Sequence, residues 1–179
     1  MVDFQEVLDF WFKESGPSQW FKKDKAFDQK ISERFEETYE QAVRGETALW
    51  RDTYQGRLAE VLVLDQFPRN MFRNSPRAFA ADSLALKLAQ EAVSMDADKM
   101  LPRRMRHFLY MPFMHSESPQ VHKKAPWLFL KSLNFDALRY EFKHKRIIDR
   151  FGRYPHRNEV LGRQSTPEEA EFLKTHSGF

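Results

Sequence analysis

The sequence predicts an all-α protein, either a helix bundle or an array of helix pairs, with about eight or nine helices. Apolar residues recur at helical spacing along most of the chain, and several segments begin with a helix-capping residue or a proline. No run of alternating apolar and polar residues favours a sheet. With 179 residues, 41% of them hydrophobic, the chain has the size and composition of one domain, residues 1–179.

The N-terminal half contains three predicted helices. Residues 4–12 place apolar side chains on one helical stripe behind Asp3, which is a suitable cap. A Ser-Gly-Pro-Ser sequence at 15–18 should end that helix. A longer amphipathic helix is predicted over about 25–43. The nearly continuous apolar run at 58–64 predicts a central helix that is buried on more than one side.

The second half contains five further predicted helices. One over 75–94 opens with Ser-Pro, and one over 101–112 opens with Leu-Pro and should end near its second proline. Two more cover 119–132 and 134–151, the latter with an asparagine cap and a glycine past its end. The sequence Thr-Pro-Glu-Glu at 166–169 is a capping box with proline at the first helical position.

The composition excludes several kinds of site. The chain has no cysteine, which excludes disulfides, thiolate zinc sites and cysteine nucleophiles. No apolar run approaches the ~18–20 residues needed to span a bilayer. The first residues lack the basic start and apolar stretch of a signal peptide. We therefore predict a cytoplasmic protein with no membrane partner.

The charge is unevenly distributed along the chain. Residues 1–98 carry 13 Lys and Arg against 18 Asp and Glu, whereas residues 99–163 carry 15 against 5. The basic segment favours an anionic partner or substrate. It is equally consistent with a solvated basic face that balances the acidic N-terminal half, so both interpretations stay open.

Three dense polar clusters interrupt the helical pattern. We call residues 64–70 the first cluster, residues 111–117 the second and residues 151–158 the third. Each combines a proline with Arg, His, Glu, Asp or Asn side chains, which are costly to bury. Such residues add little to the stability of a fold, so a functional role is the first hypothesis for each cluster.

In the first cluster, Asp65 and Arg69 have the four-residue spacing of a local ion pair on a helix. Pro68 should end or kink that helix, and the side chains of Gln66 and Asn70 could then bind the exposed carbonyl groups. The structural interpretation is a helix kink that is stabilised by the polar side chains of the same cluster. The functional interpretation is that Asp65 and Arg69 point into a cleft that the kink creates.

In the second cluster, His115 and Glu117 suit a general acid or base with an orienting partner. A His-x-Glu sequence in a loop is a weak metal signal, and the specific helical HExxH motif is absent. We therefore predict no metal ligands. The alternative is that His115 and Glu117 are close in the sequence by chance and have a structural role.

The third cluster is rich in nitrogen donors, namely Arg153, His156, Arg157 and Asn158. Guanidinium groups suit phosphate or carboxylate. A helix predicted to begin near Pro155 would add the partial positive charge of its amide groups. Alternatively, these arginines cap helix carbonyls and pair with Asp65 or Glu117.

Long motifs in a fixed order make the chain similar to a known family. They are residues 7–12 (Val-Leu-Asp-Phe-Trp-Phe), Trp20-Phe21, the three clusters, and the C-terminal stretch 161–173. Together they resemble the uncharacterised bacterial family called DUF924, over nearly the whole chain. The resemblance implies a tetratricopeptide-like, right-handed array of antiparallel helix pairs, and it implies no settled activity.

Three hypotheses of function follow. In the first, the clusters converge in a polar pocket that binds or hydrolyses a small anionic metabolite bearing phosphate or carboxylate. Its predicted residues are Arg69, Arg153 and Arg157 for the anion, His115 or His156 for proton transfer, Asp65 and Glu117 as orienting groups, and Gln66, Asn70 and Asn158 as further ligand contacts.

In the second hypothesis, the protein is a non-catalytic interaction module that clamps an acidic peptide or protein partner in a groove. A third, an RNA-binding surface on residues 99–163, is the least favoured because no recognition motif supports it. The sequence identifies no cofactor and sets no oligomeric state.

Overall fold

The structure is a computed structural model that describes residues 2–176 and 178. The regular elements in these residues are all helical, without a strand, so the predicted all-α class is confirmed. The α-helices are α1 (Phe4–Asp9), α2 (Pro17–Trp20), α3 (Lys25–Val43), α4 (Tyr54–Asp65), α5 (Phe67–Met71), α6 (Asp82–Ser94), α7 (Arg103–His115), α8 (Pro119–Lys131), α9 (Phe135–Phe151) and α10 (Pro167–Leu173). A π-helical turn (Phe10–Glu14) extends α1, and 3₁₀ turns lie at Ala48–Asp52, Pro76–Phe79, Ala97–Met100 and Pro155–Arg157.

Capping residues set several helix boundaries where the sequence predicts them. The side chain of Asp3 accepts a 2.8 Å hydrogen bond from the first turn of α1, and Asn134 accepts one of 3.0 Å from α9. Thr166 and Glu169 form both bonds of the capping box that opens α10. These bonds satisfy amide groups that have no partner inside the helix, which is why such helices begin where they do.

Helix α4 is the centre of the molecule. Its residues from Leu58 to Asp65 are all buried, as the apolar run predicts. The helix packs against α1, α3, α6 and α7, so it has neighbours on several sides. Each fully buried Leu or Val contributes roughly 1.5–3 kcal/mol relative to an exposed one, and this run is therefore a major source of stability.

The C-terminal helices pack in chain order, with α6 against α7, α7 against α8, and α8 against α9. Helix α9 packs on α8 and α7 and lies at one end of this series. The tetratricopeptide-like handedness and the single domain over residues 1–179 stay predictions. No helix in the described part of the chain combines the length and the apolar character that crossing a membrane requires.

Two predicted boundaries in the middle of the chain are wrong. The helix predicted over 75–94 is a 3₁₀ turn followed by α6, which begins at Asp82. The break places Asp82 in the first turn of α6, from which its carboxylate reaches other elements. Helix α7 does not end near Pro112 but continues to His115. A proline costs about 3 kcal/mol inside a helix, and the burial of residues 108–114 offsets that cost.

The helix predicted to begin near Pro155 is also wrong. The chain forms only the 3₁₀ turn Pro155–Arg157, and Gly162 adopts a positive φ of 64° a few residues later. A three-residue turn lacks the aligned peptide dipoles of an α-helix, so no helix end contributes positive charge to the third cluster.

Candidate functional site

The second and third clusters meet at the end of α7. The last carbonyl groups of a helix lack partners inside the helix. Here three of them accept hydrogen bonds from side chains of later elements: Met114 from Tyr154 at 2.6 Å, His115 from Arg157 at 3.1 Å, and Ser116 from His122 at 2.7 Å. These long-range caps allow α7 to end at this place after passing through a proline.

His115 and Asp65 form a pair that joins the second cluster to the first. The Nδ1 atom of His115 lies 2.8 Å from Oδ1 of Asp65. The side chain of Asp65 is fully buried, and that of His115 is 12% exposed. A carboxylate only accepts hydrogen bonds, so Nδ1 carries the hydrogen. Within the described residues, Nε2 of His115 has no hydrogen-bond partner, and in the neutral ring it is the basic nitrogen.

The neighbours of Asp65 come from its own cluster. Gln66 donates to its second carboxylate oxygen. Arg69 donates to its backbone carbonyl at 2.5 Å and lies 3.4 Å from Oδ1, so the predicted ion pair is present. The prediction that Gln66 and Asn70 bind exposed carbonyls is wrong. Arg69 fills that role because it reaches back one turn, and Asn70 donates instead to Asp28 of α3 at 2.8 Å.

Asp82 joins the first cluster to the third. Both terminal nitrogens of Arg69 bind its two carboxylate oxygens, at 2.9 and 3.0 Å. Arg157 donates to the same carboxylate at 3.0 Å. Both guanidinium groups also lie over the ring of Phe79, at 5.6 and 4.5 Å from its centroid. Side chains from all three clusters are therefore in one connected network.

Burial and a balanced set of charges determine the electrostatics of this junction, where Arg69 and Arg157 face Asp65 and Asp82. Burial and the charge of Arg69 lower the pKa of His115, against the opposing effect of Asp65. Burial and Arg69 also lower the pKa of Arg157. Burial raises the pKa of Asp65, but its interactions with His115 and Arg69 outweigh this and lower the pKa overall. Consequently, Asp65 is ionised and His115 is neutral near pH 7.

Arg157 contains a buried donor that no described residue satisfies. The residue is 6% exposed, and its Nε atom has no hydrogen-bond partner in the described part of the chain. Buried groups of this kind are rare, and leaving one unpaired costs about 1–3 kcal/mol. An acceptor from outside the chain, either water or a ligand, would satisfy this donor.

The carboxylate of Glu117 is paired with Arg163 rather than with His115. Its carboxylate accepts from the backbone amide of Tyr154 at 2.8 Å and from both terminal nitrogens of Arg163, at 2.7 and 3.0 Å. These bonds tie the loop after α7 to the third cluster. His156 is partly buried with its ring centroid 5.5 Å from that of Tyr154, and burial together with Arg157 lowers its pKa to about 4.

The other polar residues of the third cluster face α10. Arg153 binds both carboxylate oxygens of Glu169, at 2.7 and 2.8 Å. Asn158 donates to Glu169 at 3.3 Å. Arg153 and Asn158 are thus placed with Glu169, and their side-chain contacts do not include His115.

Two residues without a predicted role complete the junction from α8 and α9. The Nδ1 atom of His122 lies 2.7 Å from Oε1 of Glu141, and both side chains are fully buried. Tyr154 Oη lies 3.2 Å from Nε2 of the same histidine. Burial raises the pKa of Glu141. The sequence does contain a signal for Glu141, since it falls on the helical stripe of the buried Ala137 and Ile148.

No group of three or more His, Asp or Glu side chains is placed to hold a metal ion in the described part of the chain. The junction itself provides one basic imidazole nitrogen, an ionised carboxylate that is hydrogen-bonded to the same ring, and two guanidinium groups.

The fold and the site define an all-α protein in which a buried polar network joins the ends of several helices. Residues 7–177 match the profile of a family described as "Bacterial protein of unknown function (DUF924)". A solved structure of ATU0120, a protein of unknown function from Agrobacterium tumefaciens, is 39% identical, has a TM-score of 0.92 and covers 97% of both chains. No curated protein matches. The chain belongs to the DUF924 family, and the resemblance is confirmed.

Proposed function

We propose that the junction binds a small molecule through a phosphate or carboxylate group at Arg157, and that His115 accepts a proton during its hydrolysis or transfer. One observation carries the proposal. The neutral His115 is held at Nδ1 by the ionised Asp65, while its Nε2 has no partner among residues 2–176 and 178. A histidine fixed in this way is ready to act as a general base.

The preference for an anion rests on the electrostatics of Arg157. Burial and the charge of Arg69 disfavour a proton on both Arg157 and His115, so an anion bound beside them would favour the protonated form of each. The unsatisfied Nε of Arg157 supplies a donor for one of its oxygens. Guanidinium groups bind phosphate and carboxylate through such directed donors.

Asp65 and Arg69 serve as orienting groups in this proposal. Asp65 fixes the tautomer of His115, and Arg69 fixes Asp65. Glu117 positions the loop that follows His115, through its bonds to Arg163 and Tyr154. The remaining predicted ligand contacts, Gln66, Asn70, Arg153 and Asn158, and the second predicted proton carrier, His156, support the junction from around it. A cytoplasmic location stays a prediction.

The binding step is tested by thermal unfolding with a set of phosphorylated and carboxylated metabolites. A ligand at 100 times its dissociation constant stabilises a protein by about 2.7 kcal/mol. We expect at least one compound to raise the melting temperature of the wild type and of His115→Asn, but not that of Arg157→Lys. Arg153→Lys is the matched control, since it makes the same change to a guanidinium that is paired with Glu169.

The proposal fails if no compound stabilises the wild type, or if Arg157→Lys and Arg153→Lys respond alike. For a compound that binds, product formation is then measured in the wild type and in His115→Asn. Asparagine can still donate to Asp65 but cannot accept a proton, so we expect turnover to fall by a factor of about 10²–10⁴ while binding is retained. Equal turnover in both proteins would exclude His115 as the base.

A further inference from the structure

The outward side of α9 carries an alternating line of aromatic and cationic side chains. Phe135, Arg139, Phe142 and Arg146 follow one another at spacings of four, three and four residues, which places them on one helical stripe. Leu138 and Lys143 flank the line, and the six side chains together line a shallow groove. We call this set of six residues the α9 stripe.

The α9 stripe lies opposite the side of the helix that packs on the rest of the protein. The buried residues of α9 are Ala137, Glu141, His144, Ile147 and Ile148. Phe135 is 65% exposed and Phe142 is 46% exposed, although large aromatic side chains gain stability by burial. On the neighbouring α8, Trp127 is 64% exposed as well. The end of the helix series therefore presents apolar surface that no described element covers.

The cations of the α9 stripe lack carboxylate partners. Arg139, Lys143 and Arg146 form no ion pair with any of the described residues. The neighbouring Lys145 and Arg150 on the same helix do form them, with Asp149 and Glu168. The missing negative charge must therefore come from solvent ions or from a binding partner.

We infer that the α9 stripe docks an acidic amphipathic helix of a partner protein. A helix that alternates apolar and acidic residues at the same spacing would cover the two phenylalanines and neutralise the cations between them. The stripe runs along α9 and its groove is shallow, which suits a helix lying along α9. This interaction is independent of the proposed chemistry at His115.

Two other occupants fit these observations less well. A membrane surface takes apolar side chains to a depth of ~5–10 Å and keeps cations at the headgroups. On the α9 stripe, Arg139 lies between Phe135 and Phe142. Insertion of the two phenylalanines would therefore take Arg139 into the apolar layer of the membrane with them. A second copy of the chain would have to contact the α9 stripe through an acidic helix such as α3. Three glutamates of α3 already form ion pairs with Arg44 or Arg77, so they are less suited to neutralise the cations of the stripe.

The test uses the full-length protein and a fluorescent synthetic helix of about 20 residues, in which Leu and Glu alternate along one stripe at spacings of four and three residues. Binding is measured by fluorescence anisotropy for the wild type, Arg139→Glu/Arg146→Glu and Phe142→Ser. The matched control, Lys23→Glu/Lys87→Glu, makes the same charge change at two exposed lysines outside α9. Sedimentation of the protein alone, and with vesicles containing about one third phosphatidylglycerol, tests the other occupants.

We expect saturable binding of the helix, weakened about tenfold or more by the arginine pair and by Phe142→Ser but not by the lysine pair, and weaker at high salt. The inference is overturned by absence of binding, or by equal losses in the two charge-reversal pairs. It is also overturned if vesicles, but not the helix, bind the wild type, or if the protein self-associates through the α9 stripe and Arg139→Glu/Arg146→Glu makes it monomeric.

Discussion

The guanidinium of Arg157 donates to the backbone carbonyl of His115 at 3.1 Å, so a residue of the third cluster caps the helix that ends in the second. The same guanidinium binds Asp82, and Arg69 binds Asp82 as well. Capping and candidate chemistry are therefore not separate properties of these residues. The bonds that end α7 also hold His115 and the two cations at fixed positions.

Tyr154→Phe is expected to destabilise the protein by about 1–3 kcal/mol. The buried hydroxyl donates to the carbonyl of Met114 at 2.6 Å, and phenylalanine fills the same space without a donor. Urea unfolding followed by circular dichroism measures the change. Tyr140→Phe is the control, because Tyr140 is 50% exposed and should change stability by less than about 0.5 kcal/mol. Equal midpoints for the two variants would contradict the capping role.

Gly56→Ala is expected to destabilise the protein, although alanine normally favours a helix over glycine by roughly 0.5–1 kcal/mol. A Cβ atom at Gly56 would lie 2.0 Å from the backbone carbonyl oxygen of Trp50, so α4 and the preceding 3₁₀ turn must separate. Such overpacking costs about 1–3 kcal/mol. Gly16→Ala is the control, since nothing lies within 4 Å of its Cβ position. Thermal unfolding should show a lower midpoint for Gly56→Ala alone.

Local signals in the sequence predict the helices but not the contacts between them. The cap at Asp3 and the capping box at Thr166 act over a few residues, and both are found as predicted. The continuation of α7 past Pro112 depends on Tyr154 and Arg157, which bind its end from far along the chain. A local rule for proline cannot include such partners, so the predicted boundary is wrong.

In the candidate site, too, the sequence predicts contacts within one segment but not contacts between segments. Asp65 and Arg69 pair as their spacing predicts, because α5 follows α4 after a single residue. The carboxylate partner of His115 is Asp65 rather than the nearby Glu117, and Asp82 has no motif that marks it. Ion pairs between different helices depend on how the helices pack. The spacing of residues within one segment does not determine that packing.

Stability is expected to fall as the pH drops below about 6.5, because buried histidines are neutral in the folded protein. Burial lowers the pKa of His144 to about 3 and that of His107 to about 4. An unfolded chain takes up protons below about pH 6.5 while the folded one does not, so stability is present above that pH and is lost as the pH falls towards the folded pKa values. Each such histidine contributes up to ~1.4 kcal/mol per pH unit.

Urea unfolding between about pH 7.5 and 4.5 measures this dependence. In His144→Gln the amide can still donate to the carbonyl of Tyr140, which His144 Nδ1 reaches at 2.8 Å, but it does not titrate. We expect a shallower loss of stability in this variant than in the wild type. A loss of the same steepness would show that the pKa of His144 is not lowered in the folded protein.

His115 is expected to be neutral at pH 7, with its hydrogen on Nδ1, and to titrate below the ordinary histidine pKa of about 6.5. Nitrogen-15 NMR distinguishes the two neutral tautomers from the doubly protonated ring, and His115→Asn assigns the signal. Asp65→Asn retains an acceptor for Nδ1 but removes the negative charge that raises the pKa of His115, so the pKa should fall further. Binding of an anion at Arg157 should have the opposite effect and raise it. If inorganic phosphate stabilises the protein without moving this titration, the anion binds elsewhere and His115 is not part of its site.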